Sequence, residues 1–292
     1  MSTLHVSRVP TMTCRDRLHH PIRLGLYLLL GLAIGLMSGC ERNSANHTTV
    51  RITGASTVYP IVQMAGEELR QRRQLNVEAQ AGGSTRGYED TVAGRNDMGA
   101  MARELLPQES QHVIAFPIAY DGVGIVVHIS NPVEGVTTAQ LRQIYRKEQR
   151  HWTALGGPDG EIVVVTKAEG HATLETFLNH TGLDRSELQA DVVGGDNAQV
   201  IRVVANTPNA IGFVSMGEVM HATEIGMSLR LIKLDGVEPT LERVADKSFP
   251  MYRPLYLIAK TAPQGGSRIL LEYLHSDAGK ALIRRGKYVP LS

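Results

Sequence analysis

Cysteine is nearly missing from this 292-residue chain: there are two, Cys14 and Cys40, both close to the amino terminus. They cannot build a disulfide framework or a four-ligand zinc site, and the rest of the chain has no thiol for nucleophilic chemistry. Aromatic residues make up only 5%, with one tryptophan, Trp152, so few rings are available to stack on bases or sugars. An excess of one charge sign is also lacking. Thirty basic residues face 29 acidic ones, without a block of like charges, and a nucleic-acid partner is not expected. The longest apolar run, residues 24–37 (LGLYLLLGLAIGLM), falls short of the roughly 20 residues that span a bilayer as a helix. No G-x-S-x-G elbow and no H-E-x-x-H motif occurs, and His171 and His180 do not have metal-ligand spacing. The sequence therefore predicts no enzyme, no cofactor and no metal site.

What is present fits a folded globular protein: 42% apolar and 20% charged residues, with 29 glycines and 13 prolines, in a chain long enough for two cores. Arg15, Arg17 and Arg23 precede the apolar run, which ends in Met37-Ser38-Gly39-Cys40. A basic region, a short apolar region and small residues before a break make a secretory signal over residues 1–39. The four residues ending in Cys40 resemble a bacterial lipobox, with Met37 where Leu is usual, so Cys40 is the expected lipidation site. Residues 40–49 are polar and aperiodic, as expected of a flexible tether.

From residue 50 onward, strand and helix patterns alternate. Strands are expected at 50–52, 75–79, 113–117, 123–129, 162–166, 211–215 and 255–259. Helices are expected from residue 58 to about 69, after Thr85 to about Gly94, and at 138–147, 172–179, 198–205, 266–275 and 277–285. This alternation predicts an α/β fold with mostly parallel sheets, in which ligands sit at the N-termini of helices that follow strands.

Three strand-to-helix turns share one chemistry: Gly54-Ala55-Ser56-Thr57, Gly82-Gly83-Ser84-Thr85 and Gly170-His171-Ala172-Thr173. Free backbone N–H groups and the helix dipole favour an anion at such a turn, and Ser56, Thr57, Ser84, Thr85 and Thr173 can add hydroxyl donors. Any one of these turns is also explained by ordinary N-capping. Three in one chain suggest a shared oxyanion site, although sequence does not show that they meet.

At these residues the chain resembles the phosphate-binding proteins of bacterial phosphate ABC transporters, within the type II periplasmic binding proteins. The matching pieces are TGASTVYP at 53–60, GGSTRG at 82–87, NDMGAMAREL at 96–105, AYDGVGIVV at 119–127, PNAIGFVS at 208–215, FPMYRPLYL at 249–257 and HSDAGKALIRRGKYVPL at 275–291. The resemblance implies two α/β lobes, each a mostly parallel sheet flanked by helices, joined by hinge strands and closing around a desolvated oxyanion. The first lobe would be discontinuous, 50–123 plus 250–292, with the second lobe, 124–249, inserted between. A monomer that hands phosphate or a related oxyanion to an ABC permease and its ATPase, from a periplasmic position held to the membrane by lipid only, is the implied role. A non-transport sensor or adaptor is the alternative.

Two departures bear on the ligand. The family's third turn, R-x-x-G-S-G-T, reads Lys167-Ala168-Glu169-Gly170-His171-Ala172-Thr173, so a bidentate arginine fork becomes a point charge. The S-S-R or S-D signature reads Met101-Ala102-Arg103, which keeps Arg103 and loses the hydroxyl or carboxylate. Asp121 and Glu169 are candidate substitutes for that acid. Lys167, Gly170 and His171 are expected at the ligand, His171 as a neutral donor. From the amino-terminal pattern, Cys40→Ala is expected to abolish incorporation of labelled lipid and leave the precursor uncleaved or the protein soluble; normal labelling would overturn the lipobox reading.

Overall fold

Alternation of buried and exposed side chains starts with the first element of the computed structural model, which describes residues 48–73 and 75–291. The signal segment and Cys40 lie outside the described residues. In β1 (Thr48–Gly54), Val50, Ile52 and Gly54 are buried and Arg51 is exposed, the period of a half-buried strand. The strand begins at Thr48, so the last residues of the expected tether belong to the sheet. Helix α1 (Tyr59–Arg73) lays Ile61, Val62, Ala65 and Leu69 on that sheet and leads to β2 (Leu75–Ala81), which runs parallel to β1. Helix α2 (Ser84–Val92) returns the chain to β3 (Met98–Met101), parallel to β1 on its other edge.

Next comes β4 (Ile114–His128), a single strand of 15 residues where the sequence pattern predicts two. The gap between the two expected strands, residues 118–122, includes Asp121-Gly122, a pair that ordinarily signals a turn. Here Asp121 stands directly opposite Arg253 on a neighbouring strand, and this pairing lets a polar residue continue a buried strand.

The chain then forms β5 (Gly135–Val136), α3 (Thr138–Tyr145), β6 (Val163–Lys167), α4 (Ala172–Thr181), β7 (Val192–Gly194), α5 (Asn197–Ala205), β8 (Ala210–Ser215), α6 (Met216–Glu224), β9 (Leu229–Leu234) and α7 (Leu241–Ala245). It closes with β10 (Tyr252–Ala259), α8 (Gly265–His275), α9 (Asp277–Arg285) and β11 (Val289–Pro290). The sequence reading did not foresee β3, β5, β7, β9, β11, α6 and α7.

The strand order β2-β1-β3-β10-β4-β8-β6-β7 makes β4 the spine of the molecule. Its first part pairs with β10, and Val123–His128 pairs with β8 and β9. Pairing is parallel in the βαβ units, as expected, and antiparallel along β4 and β10, so the sheet as a whole is mixed. One core joins Val50, Ile61 and Leu69 to Leu255, Leu257, Leu270 and Leu282. A second lies on one face of the other half-sheet, where Tyr145, Phe177 and Phe213 pack together, the two phenylalanine rings stacked at 4.0 Å. Val126, Val165, Val200 and Val214 fill the opposite face under α5 and α6. A sheet buried on both faces explains the near-continuous apolar run of β4.

Two glycines are fixed by close backbone approach. Gly54 ends β1 at φ 137, and a Cβ there would lie 2.2 Å from the Ala100 carbonyl oxygen. Gly83 precedes α2 at φ 88, and a Cβ would lie 2.4 Å from the carbonyl oxygen of Gly170, at the third turn. Gly54→Ala is expected to lower unfolding free energy by about 1–3 kcal/mol or more, from strain plus collision. Gly94→Ala, at φ 68 with nothing within 4 Å, should lose only the φ term, roughly 1 kcal/mol. Equal effects in urea titrations would show that the close approach at Gly54 contributes nothing.

Candidate functional site

The three glycine-hydroxyl turns are chained to one another. The N–H groups of Gly82 and Gly83 donate to the Gly54 carbonyl at 2.9 and 3.0 Å, which ties the second turn to the first. The Thr85 N–H donates to the Gly170 carbonyl at 3.3 Å, tying the second to the third. Ser84 is buried and its Oγ accepts the Ala102 N–H at 3.1 Å. Thr85 and Ser56 are half-buried, and the Ser56 carbonyl accepts the Tyr59 N–H at the start of α1.

Arg253 is the hub of this assembly. It is 2% exposed, and its guanidinium donates to Asp121 Oδ2 at 2.9 and 3.2 Å, to Thr57 Oγ1 at 2.9 Å and to Thr173 Oγ1 at 2.9 Å. Asp121 accepts a further bond from Ser215 Oγ at 3.0 Å. Burial pushes the Asp121 carboxyl up, against the pull of Arg253 and Ser215. Asn197, the first residue of α5, donates through Nδ2 to Thr57 Oγ1 at 3.0 Å and to Glu218 Oε1, near the start of α6, at 2.5 Å. The starts of α1, α4, α5 and α6 are thus linked by one hydrogen-bonded cluster, and four positive dipole ends share one region.

This arrangement determines how the hydroxyls point. Thr57 Oγ1 accepts from both Arg253 and Asn197, which occupies its two lone pairs and leaves its single proton to donate elsewhere. Thr173 accepts from Arg253 and keeps its proton in the same way. Lys167, at the end of β6, is 1% exposed, and its Nζ has no hydrogen-bond partner among the described residues. Burial lowers its pKa to about 8, with Glu218 and Asp196 pulling upward and Arg253 downward. Asn197 Oδ1 is likewise buried without a partner. His171, the N-cap residue of α4, makes no side-chain cap; burial and then repulsion from Lys167 hold its pKa at about 4, so it is neutral. Buried donors without partners, beside helix starts, are fitted to an anion.

Two expected residues stand apart. Arg103 does not join the cluster: it is bidentate on Glu109 at 2.7 and 2.8 Å and meets Glu175 of α4 at 2.7 Å. Two carboxylates at contact distance flank the guanidinium, so its place is an ionic link from the segment after β3 to α4. Glu169 is exposed and pairs with Arg185 at 2.6 Å, away from the buried groups. Gly170 takes part through its carbonyl, in the bond from Thr85. Sequence reasoning missed Arg253, Asn197, Ser215 and Glu218. A charged residue inside the apolar stretch FPMYRPLYL, and the polar residues at the starts of the helices after 194 and 215, were the available signals.

A family model described as the PBP superfamily domain matches residues 41–284. Among curated proteins, the chain is 25% identical over 259 residues to the phosphate-binding protein PstS of Bacillus subtilis, covering 87% of this chain and 83% of the relative. It is 27% identical over 282 residues to PstS of Staphylococcus aureus, covering 91% and 85%. Among solved structures, a Clostridium perfringens protein described as a phosphate ABC transporter substrate-binding protein, with bound phosphate, superposes with TM-score 0.78 at 27% identity, over 84% of this chain and 100% of that one. An ABC-type phosphate transport receptor from Vibrio cholerae gives 0.67 at 28% identity, over 83% and 100%.

The buried ion pair carries a direct consequence. Asp121→Asn leaves Arg253 without its counter-charge, and removal of one partner of a buried pair destabilises by about 3–5 kcal/mol. Urea unfolding is expected to show a loss of that order; a change under about 0.5 kcal/mol, the range of ordinary surface substitutions, would show that the two threonine hydroxyls alone hold the guanidinium.

Proposed function

Because the chain belongs to the PBP superfamily, we propose that it is an extracytoplasmic solute-binding protein that captures phosphate, held to the membrane through lipid on Cys40, and delivers it to an ABC permease and its ATPase. It acts as a binding protein, not an enzyme, and works as a monomer. The lobes divide at residues 50–123 plus 250–292 and 124–249, with the ligand held between them.

One observation carries the choice of ligand. The buried cluster keeps an unpaired donor, Lys167 Nζ, and an unpaired acceptor, Asn197 Oδ1, together with two threonine hydroxyls oriented by Arg253. Hydrogen phosphate offers acceptor oxygens and one O–H, and so can use both kinds of partner; sulfate has no proton to give Asn197. Ser84, Thr85 and the free N–H groups of the helix starts supply further donors to the same anion. His171 adds one neutral N–H in place of the serine of related turns. Relatives named as phosphate-binding proteins, one of them solved with phosphate, support the same reading.

Calorimetric titration is expected to show one phosphate bound per chain and much weaker sulfate binding. Hydrogen bonds to a charged group contribute about 1.5–3 kcal/mol, so Lys167→Met should weaken phosphate binding roughly 10- to 100-fold. The lysine is charged below its pKa of about 8 and loses its proton above it. Affinity is therefore expected to fall as pH rises beyond 8, and Lys167→Arg should make that fall shallower. Unchanged phosphate binding in Lys167→Met would overturn the assignment of this site.

A further inference from the structure

Glu218 belongs to the cluster yet plays no part in the reading above. Its Oε1 accepts from the same Asn197 amide group that donates to Thr57, so one amide separates it from a hydroxyl of the anion site. Lys167 of β6, Asp121 of β4, Arg253 of β10 and the buried Tyr288 hydroxyl ahead of β11 all act electrostatically with this carboxyl. Glu218 is half-buried and is among the residues that line an open groove of about 770 Å³, with Gln63, Ala198, His221, Arg285 and Tyr288, and neither Arg253 nor Lys167 lines that groove. Protons from solvent can therefore reach Glu218 without passing the buried hydroxyls.

The charge around the anion site changes with this group. Arg253 and Asp121 cancel, His171 is neutral, and Lys167 is opposed by Asp196, which acts on both Lys167 and His171. An ionised Glu218 leaves one net negative charge, and a protonated Glu218 leaves none. A dianion entering a desolvated site is repelled by a nearby carboxylate, and its presence raises the proton affinity of that carboxylate.

Resting on the phosphate reading, we propose that Glu218 is a positioning and charge-setting residue: capture of a doubly charged oxyanion draws a proton from the groove onto its carboxylate. The bookkeeping of the step is simple: Glu218 carboxylate plus one solvent proton gives the carboxylic acid, and the Asn197 amide stays directed at Thr57. Burial and the charge of Asp121 already hold the Glu218 pKa at about 7, so the free protein is half ionised near neutrality. The anion shifts that balance toward the acid.

Titration of phosphate in buffers of different ionisation heat counts the protons taken up. At pH 7 the wild-type protein is expected to take up about half a proton more per phosphate than Glu218→Gln, since half of the free carboxyls are ionised there. At pH 5.5, where Glu218 is already protonated, the difference should vanish. Carbon NMR of the Glu218 carboxyl in the wild-type protein needs no variant: its midpoint near 7 is expected to rise by about one unit or more at saturating phosphate, as for a carboxyl beside a new like charge. Phosphate binding with equal proton counts and an unmoved midpoint overturns this proposal alone. Absence of phosphate binding to the wild-type protein overturns the phosphate reading and this proposal together.

Discussion

The buried pair of Arg253 and Asp121 is the constraint on which the rest of the site depends. Two charges taken out of water are tolerated only where geometry and additional hydrogen bonds compensate them. Here β4 and β10 place the pair in direct register, and Ser215, Thr57 and Thr173 satisfy the remaining donors and lone pairs. The pair lies where β4 passes from one half of the sheet to the other, so the fold and the site share one interaction. Loss of the pair would disturb the strand that both cores use and the Thr57 and Thr173 hydroxyls that Arg253 holds.

In the proposed site, Arg253 acts on the anion through other groups. By donating to Thr57 and Thr173 it converts two hydroxyls, each able to donate or accept, into oriented donors. That is preorganisation: the reorientation is made during folding, before the anion arrives. In the proposed site the direct cation is Lys167, which differs from an arginine in being titratable and lacking a planar fork. The site thereby exchanges bidentate geometry for a charge whose strength depends on pH. Burial makes every such term larger, because the low local dielectric strengthens attraction and repulsion alike. The segments around the site are joined by contacts between turns, such as Thr85 to Gly170, and by ionic links, such as Arg103 to Glu175.

Comparison of pattern with structure separates two kinds of information. Elements with a clear period and end signals lie where the sequence indicates: α9 spans Asp277–Arg285, with Ser276 capping it, and α5 and α8 start within one residue of expectation. Their boundaries follow from local chemistry, as helix caps and apolar spacing act within a few residues. The strand runs on between 117 and 123, where two separate strands are expected, because the pattern of Asp121-Gly122 is local, whereas the partner that lets the strand continue, Arg253, is far away in the chain. Short elements such as α7 and β3 have too few turns or side chains to show a period.

By itself, the sequence determined an α/β chain, three anion-favouring turns and the absence of thiol and metal-motif chemistry, because these follow from residue type and near-neighbour spacing. It also supplied the donors, Thr57, Ser84, Lys167, His171 and Thr173, as residues at helix starts or strand ends. Only the tertiary structure decided that the turns meet, that Arg103 is spent on Glu109 and Glu175, and that Arg253, Asn197 and Glu218 complete the cluster. The physical reason is range. A hydrogen bond between Arg253 and Thr57 joins residues 196 positions apart, and nothing in either residue's neighbourhood carries that pairing until sheet register brings them together.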